Sequence, residues 1–302
     1  MFVQSKRFIE AHSGRIDEVT IYGQDSNPET WRLCKMNLAI RGINADLGDS
    51  ASDTFLNDKH PTLKADFILA NPPFNLKSWG GDKLQDDPRW SYGRPPVGNA
   101  NFAWIEHMIS HLSTEGRIGL VLANGALSSN TGNEGEIRKN LIIEGNGNRQ
   151  GDLVEGIVSL PAQLFYTVQI PVSLWFFSRR KEQKGKTLFI DARNLGHMVS
   201  RTQKEIRDEE IEKIANTFER FRKGEDVDEL GFAKVVTTEE IAAQDYILTP
   251  GRYVGIPEEE DDGIPFEEKM KVLTTELSDL FKKSHELEEE IRKQLKGIGY
   301  EI

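Results

Sequence analysis

Apolar residues along this chain fall into short runs separated by longer stretches with helical spacing. Val19-Thr20-Ile21-Tyr22-Gly23, Asn44 to Leu47, Asp66 to Ala70, Arg117 to Leu122 and Leu153 to Val158 read as strands, each short and bounded by breakers. Between them, Glu29 to Arg41, Asn101 to Ser113 and Glu134 to Ile143 carry apolar residues at helical intervals. Strands alternating with helices predict an α/β fold built on a doubly wound, mainly parallel sheet. Pro171 to Phe177 reads as a late strand in an antiparallel edge, and Thr187 to Ile190 as a short strand. The basic stretch Arg179 to Lys186 between them is expected to be a solvated hairpin tip, with phosphate contact as the alternative. A charged helix is predicted over Gln203 to Phe221.

The last part of the chain has a different pattern. Pro257 to Gly263 is an acidic, breaker-rich linker. After it Leu273, Leu277, Leu280, Leu287, Ile291 and Ile298 keep a heptad spacing, interrupted at Ser284 and Gln294. This predicts one long amphipathic helix from about Pro265 to Lys296. So many heptads favour a partner-binding helix over one packed back on its own domain.

Composition narrows the picture only a little. A chain of 302 residues holds one large domain plus an appendage. No apolar run approaches membrane-spanning length and the amino terminus is not a signal peptide, which fits the cytoplasm. The single cysteine, Cys34, excludes an internal disulfide framework and a cysteine-built zinc site, and is expected to be a packed thiol. The histidines show no metal-ligand spacing, so no metal is assigned. A net charge of −11 is awkward for a DNA-binding protein, because backbone affinity comes mostly from Lys and Arg. Were the chain to act on nucleic acid, either its basic residues would be locally concentrated or a partner would supply most of the grip, the second being preferred.

The strongest chemical signal is Asn71-Pro72-Pro73-Phe74-Asn75, directly after the apolar run Ala65 to Ala70, which reads as a buried strand. Open α/β sheets keep their ligands at the carboxyl ends of strands. Two prolines stiffen the turn and remove two donors, so its carbonyls are free to accept. Asn71 adds a carboxamide and Phe74 a flat face. Such an elbow suits a planar amine. The Asn71 side-chain oxygen and the Pro72 carbonyl would take the two amine hydrogens and favour the charge that develops at nitrogen. A base would have to be flipped out of its duplex to reach it. Asn-Pro is also a common turn former, and a plain tight turn is the competing interpretation.

With this elbow the chain resembles the amino-group methyltransferases that use S-adenosylmethionine, whose adenine-N6 branch carries Asn-Pro-Pro-Phe. Tyr22-Gly23-Gln24-Asp25-Ser26-Asn27-Pro28, Thr30 to Leu33 and Met36-Asn37-Leu38 narrow the resemblance to the modification (M) subunit of type I restriction-modification systems, as does Tyr246 to Val254. The resemblance implies a Rossmann-like sheet, S-adenosylmethionine as cofactor and a flipped adenine in DNA as substrate. The partners it implies are a specificity (S) subunit on which the carboxyl-terminal helices dock, a second M subunit, and a restriction (R) subunit in the full complex. Methyltransferases of this kind cradle the cofactor in a Gly-rich loop after the first strand. Met1 to Ile9 looks like the helix that follows that loop, so the first strand is expected to be missing. Gly145 to Gly151 lies after a helix and before a strand, the wrong order for such a loop, and is read as a connector.

The resemblance also distributes roles. Asn71, Pro72, Pro73 and Phe74 form the catalytic elbow, with Asn71 also near the cofactor. Asp25 would accept the ribose hydroxyls, the alternative being a cap for the helix after it, which Ser26 or Asn27 could provide instead. Asp49 would face the cofactor's adenine amine, with Asp46 as competitor. In Leu160 to Thr167, Phe165 is the candidate for stacking on the flipped base, Tyr166 could take that role, and either could be core. No general base is evident and none is required, since the amine proton becomes acidic once the methyl has transferred and solvent can take it. The expected domains are residues 1–195 (catalytic), 196–256 (helical or irregular extension) and 257–302 (linker and docking helix). Two other functions stay open: an inactive, truncated or split subunit serving assembly, and a protein glutamine methyltransferase.

Overall fold

A computed structural model describes residues 1–12, 14–15, 18–146, 149–166, 169–256 and 266–300. They form two units, Met1–Ile256 and Pro257–Ile302. The acidic linker predicted at 257–263, and Gly147, Asn148 and Thr167, lie outside the described residues.

The first unit opens with α1 (Phe2–Ala11), β1 (Ile21–Tyr22), α2 (Pro28–Ile40) and β2 (Ala45–Asp46). Asn27 starts α2 by accepting the amides of Glu29 at 2.8 Å and Thr30 at 3.1 Å, and Pro28 fits the first turn, where its missing N–H costs nothing. The helix stops before Gly42, whose φ of +61° leaves the helical path. β1 and β2 pair in parallel. Ile21, Leu38, Ile43 and Leu47 form a small core there, against which Phe2, Val3 and Cys34 pack. Cys34 is thus the packed thiol expected, and burial pushes its pKa up.

The main sheet contains β3 (Ala65–Ala70), β4 (Leu112–Ala123), β5 (Val154–Ser159), β6 (Val172–Ser178), β7 (Lys186–Asp191) and β10 (Ala233–Thr237), in the order β10-β7-β5-β6-β4-β3. β3, β4, β5 and β7 run one way; β6 and β10 oppose them. Helices α3 (Asn101–Ser110), α4 (Glu134–Ile142), α5 (Asp208–Arg222) and the short α6 (Thr238–Ala242) belong to the same unit, with the small ribbon β8–β9 (His197–Met198, Lys204–Glu205). One core gathers Phe102, Ile105, Leu120, Trp175, Phe177 and Phe189; a second gathers Val158, Val172, Ile190, Phe218 and Phe221. Each such side chain contributes about 1.5–3 kcal/mol by leaving water.

Four sequence expectations change. β6 is antiparallel, yet it lies inside the sheet between β4 and β5 rather than at an edge. Residues 179–185 are therefore a crossover past β5, not a hairpin tip. Lys181 alone is buried there, against Asp152, while Arg180, Glu182 and Lys184 are exposed as expected, Arg180 lying 2.6 Å from Glu115. The charged helix starts at Asp208, because Lys204 and Glu205 are spent on β9. The run Ala65 to Ala70 is an edge strand and not a buried one. Ile68 and Ala70 pack on the first core, whereas Phe67 and Leu69, on the opposite face, are 78% and 56% exposed, and among the described residues β4 is the only strand neighbour.

In the second unit, α7 (Phe266–Gly297) is a single helix of 32 residues. Taken alone it leaves Leu273, Leu277, Leu280, Leu287 and Ile291 at least half exposed along one stripe. None of the helices among the described residues is long and apolar enough to cross a membrane.

Candidate functional site

β3 delivers its next five residues at the carboxyl end of a strand paired in parallel with β4, where backbone groups leave the ladder. Asn71 and Pro73 are exposed, Pro72 is buried and Phe74 is half-buried. Among the described residues, nothing hydrogen-bonds the Asn71 carboxamide or the Pro72 carbonyl. Asn75 takes φ +53°. Its amide donates to Asn101 Oδ1 at 3.1 Å, which reverses the chain after Phe74.

Phe74 and Phe165 touch directly, edge to face, with ring centroids 6.4 Å apart and planes at 70°, rather than standing apart as two parallel rings. Both also rest on the second core. Tyr166 is 85% exposed and has no core role. The loop that carries them is tied down at Gln163, whose carbonyl accepts the Lys204 amide at 2.9 Å and whose φ is +65°.

Asp25 and Asp49 also lie just past the ends of parallel strands, β1 and β2. The Asp25 carbonyl accepts the Ser52 amide at 2.9 Å, so the loop after β2 folds against the one after β1. Gln24 reinforces this, donating to the Ser52 and Asn57 carbonyls at 3.1 and 2.9 Å. Capping of α2 falls to Asn27; Asp25 Oδ1 instead accepts the Asn27 amide at 2.7 Å. Asp49 is exposed and pairs with Lys59 at 2.8 Å. The hydrogen bond from Lys59, aided by one from Ser50, holds its pKa below the ordinary carboxylate value. Asp46 is exposed and accepts the Gly48 amide at 2.9 Å. These are suitable acceptors for ribose hydroxyls and an amine. No described residues form a Gly-rich strand-to-helix loop beside them, and Gly145 and Gly151 belong to the connector between α4 and β5.

Two features escaped the sequence reading. Asn99 and Asn101 look like helix-capping residues, yet α3 has no side-chain cap and both carboxamides turn to Asn75. The histidine spacing was also misjudged. His107 and His111, one helical turn apart, meet Asp58 with ligand-capable atoms within 4.8 Å of one another. Asp58 lies 2.8 Å from His111, and Arg89 donates to His107 Nδ1 at 3.0 Å. Burial, then the neighbouring His111 and Arg89, push the His107 pKa down to about 3, so the ring is neutral. With a guanidinium on one ring nitrogen of His107, the trio is read as a contact between the loop at Asp58 and α3.

Comparison with known proteins gives a consistent picture. A sequence model described as N-6 DNA Methylase matches residues 1–262. The chain is 53% identical over 301 residues to the type I restriction enzyme HindI methylase subunit of Haemophilus influenzae, covering 99% of this chain and 66% of that protein. It is 46% identical to the MjaIX methylase subunit of Methanocaldococcus jannaschii, covering 99% and 54%. It thus spans about two thirds of the first relative's length and about half of the second's. The crystal structure of a type I restriction-modification methyltransferase subunit from Streptococcus thermophilus superposes with a TM-score of 0.66 at 31% identity, over 77% of this chain and 48% of that one. The EcoKI M protein shares the fold at 19% identity, with a TM-score of 0.56 over 93% and 63% of the two chains.

Proposed function

This chain belongs to the N-6 DNA methylase family, and from that premise we propose that it acts in the M subunit of a type I restriction-modification complex. The reaction is methyl transfer from S-adenosylmethionine to adenine N6 in DNA. The observation that carries this reading is the pair of unengaged acceptors, the Asn71 side chain and the Pro72 carbonyl, on an exposed elbow beside the Phe74–Phe165 rings.

An exocyclic amine is a weak nucleophile because its lone pair is delocalised into the ring. Two fixed acceptors draw its hydrogens and make the nitrogen pyramidal, favouring the charge of the transition state. Phe74 and Phe165 receive the flipped base by stacking, with Tyr166 as a second aromatic at the loop tip. Pro73 stiffens the turn between Pro72 and Phe74. Asp25 holds the ribose hydroxyls of the cofactor and Asp49 its adenine amine, with Asn71 close to both ligands. When bound, S-adenosylmethionine supplies an electrophilic methyl group. Solvent takes the proton after transfer.

Functionally the chain divides into a catalytic part at 1–195, an extension at 196–256 and a docking part at 257–302. The exposed Leu273–Ile291 stripe of α7 supports docking to the S subunit. The same assembly would bring a second M subunit, the R subunit and most of the DNA grip, which accommodates the net charge of −11. The location this implies is the cytoplasm.

The test is calorimetric titration of the chain, alone and in its assembled complex, with S-adenosylmethionine. Saturable binding that Asp25→Ala abolishes, and methyl transfer to DNA that Asn71→Ala abolishes, support the reading. Binding by the complex alone assigns the chain an incomplete cofactor site. Absence of binding by both leaves an assembly role and refutes the enzyme.

A further inference from the structure

The Asn101 carboxamide closes a ring with Asn75 beneath the elbow, accepting from the Asn75 backbone N–H and donating to the Asn75 side-chain oxygen. The Asn75 backbone N–H donates to Asn101 Oδ1 at 3.1 Å. An amide hydrogen must meet an oxygen, so this bond fixes which end of the Asn101 side chain is which. The nitrogen end then faces the Asn75 side chain and donates to its Oδ1 at 2.9 Å. Asn99 Nδ2 donates to the same oxygen at 3.2 Å, while Asn99 Oδ1 accepts the Asn101 amide at 2.9 Å. One residue further on, the Leu76 carbonyl accepts the Ala100 amide at 3.0 Å.

Asn101 is anchored and Asn75 is not. Asn101 is 2% exposed at the first position of α3, beside the fully buried Phe102 and Ala103. Asn75 is exposed, in a left-handed conformation that residues other than glycine adopt at a cost. The bonds from Asn101 and Asn99 offset that cost, and they fix the direction in which the chain leaves Phe74. Asn99 Oδ1 serves the first amide of α3, whereas the bonds from Asn99 Nδ2 and Asn101 Nδ2 to Asn75 add nothing to the helix start and act on the elbow side alone.

We propose that Asn101 is a positioning residue for the methyl-transfer site: acting through Asn75, it holds Asn71–Phe74 in the geometry that receives the amine. This rests on the methyltransferase reading above. A displacement of about 1 Å of positioned groups costs on the order of 100-fold in rate, so loss of the clamp is felt in turnover. The cofactor-binding acids Asp25 and Asp49 lie on other loops and keep their places.

Hydrogen exchange on the chain and methyl-transfer kinetics on its assembled complex test this together. Asn101→Ala should expose the Asn75 amide to fast exchange while β4 and the rest of α3 keep their protection. It should lower kcat by about 10- to 100-fold with KM for S-adenosylmethionine changed by less than about 2-fold. Polarity supplies the conservative control. Asn75→Asp keeps the accepting oxygen and should retain activity; adding Asn101→Asp to it sets oxygen against oxygen with no amide left to flip and should lose it. If Asn101→Ala unsettles the whole of α3, this pair of variants decides, and equal activity in both overturns the proposal. An unchanged Asn75 exchange rate in Asn101→Ala, or unchanged kcat despite fast exchange, overturns it as well. An inactive wild-type complex instead overturns the methyl-transfer reading, and the role of the clamp in catalysis with it.

Discussion

Phe165 meets Phe74 edge to face across the mouth of the elbow, with ring centroids 6.4 Å apart. While the two rings touch, a planar base cannot lie flat on both, so capture of a base requires one ring to turn. Phe74 follows the stiff Pro-Pro turn, so on the proposed reading Phe165 is the ring expected to turn, within a loop tied down at Gln163. Stacking of a base on an aromatic ring is worth about 1–3 kcal/mol by alanine substitution. Phe165→Ala should therefore lower methyl-transfer efficiency by roughly 5- to 150-fold, and Phe165→Tyr should restore most of it. Fluorescence of 2-aminopurine at the target position reports base capture directly. A signal unchanged by Phe165→Ala but lost in Tyr166→Ala would transfer the role to Tyr166.

If Asp25 holds the cofactor as proposed, Asp25 and Asn27 separate cofactor binding from helix stability. Asn27 caps α2, whereas Asp25 only steadies the turn before it. Asn27→Ala should cost about 1 kcal/mol of stability and leave S-adenosylmethionine affinity nearly intact. Asp25→Ala should do the reverse. Denaturant unfolding and calorimetric titration of both variants check the pairing; equal losses in the two experiments would make Asp25 a structural residue.

The crossover at 179–185 depends on one buried ion pair. Lys181 has a side chain only 2% exposed and pairs with Asp152, which is 20% exposed. Burial lowers the Lys181 pKa, and Asp152 opposes that shift. Asp152 Oδ2 also accepts the Gly185 amide at 2.8 Å. Removing one partner strands the other charge, so Asp152→Ala should cost about 3–5 kcal/mol in denaturant unfolding. Lys181→Met, which leaves the exposed end of the pair unburdened, should cost clearly less.

Glu106 makes stability fall as pH rises. Its side chain is fully buried, with Oε2 accepting the Tyr92 amide at 2.8 Å and Oε1 without a partner. Burial pushes its pKa up to about 8, against a smaller lowering by the Tyr92 amide and Arg149. The folded chain therefore holds a proton that the unfolded chain releases above about pH 4.3. Between that pH and about 8 the folded state binds more protons, so this group's contribution is lost as pH climbs through the window. Glu106→Gln should flatten the slope and raise Tm at pH 8 more than at pH 5. A Tm difference that does not change with pH would show the carboxyl to be ionised in the fold.

The elbow was legible because its chemistry is local. Asn71 to Phe74 are consecutive, the run before them is apolar, and two prolines leave the backbone little choice. Helices α2 and α3 were read to within a few residues for similar reasons, Asn27-Pro28 marking one start and the apolar spacing of Phe102, Ile105 and Ile109 carrying the other. The interior place of β6 was not legible. Its sequence is apolar whether it lies at an edge or in the middle, and only the crossover past β5 distinguishes the two. The burial of β3 was misread for the same reason: Phe67 and Leu69 have the composition of core residues, but exposure depends on which neighbours the strand acquires.

The sequence by itself determined the alternating α/β elements, the rigid acceptor-rich turn, the acids after β1 and β2, and the heptad stripe of α7. Each of these is written in residues close together, where propensity, proline geometry and periodicity act. Tertiary structure decided the strand order, the meeting of Phe74 with Phe165, the burial of Lys181 and Glu106, and the grip of Asn101 on Asn75. These depend on contacts between residues far apart in the chain, and a side chain's chemistry does not reveal the partner it will face once the backbone has closed around it.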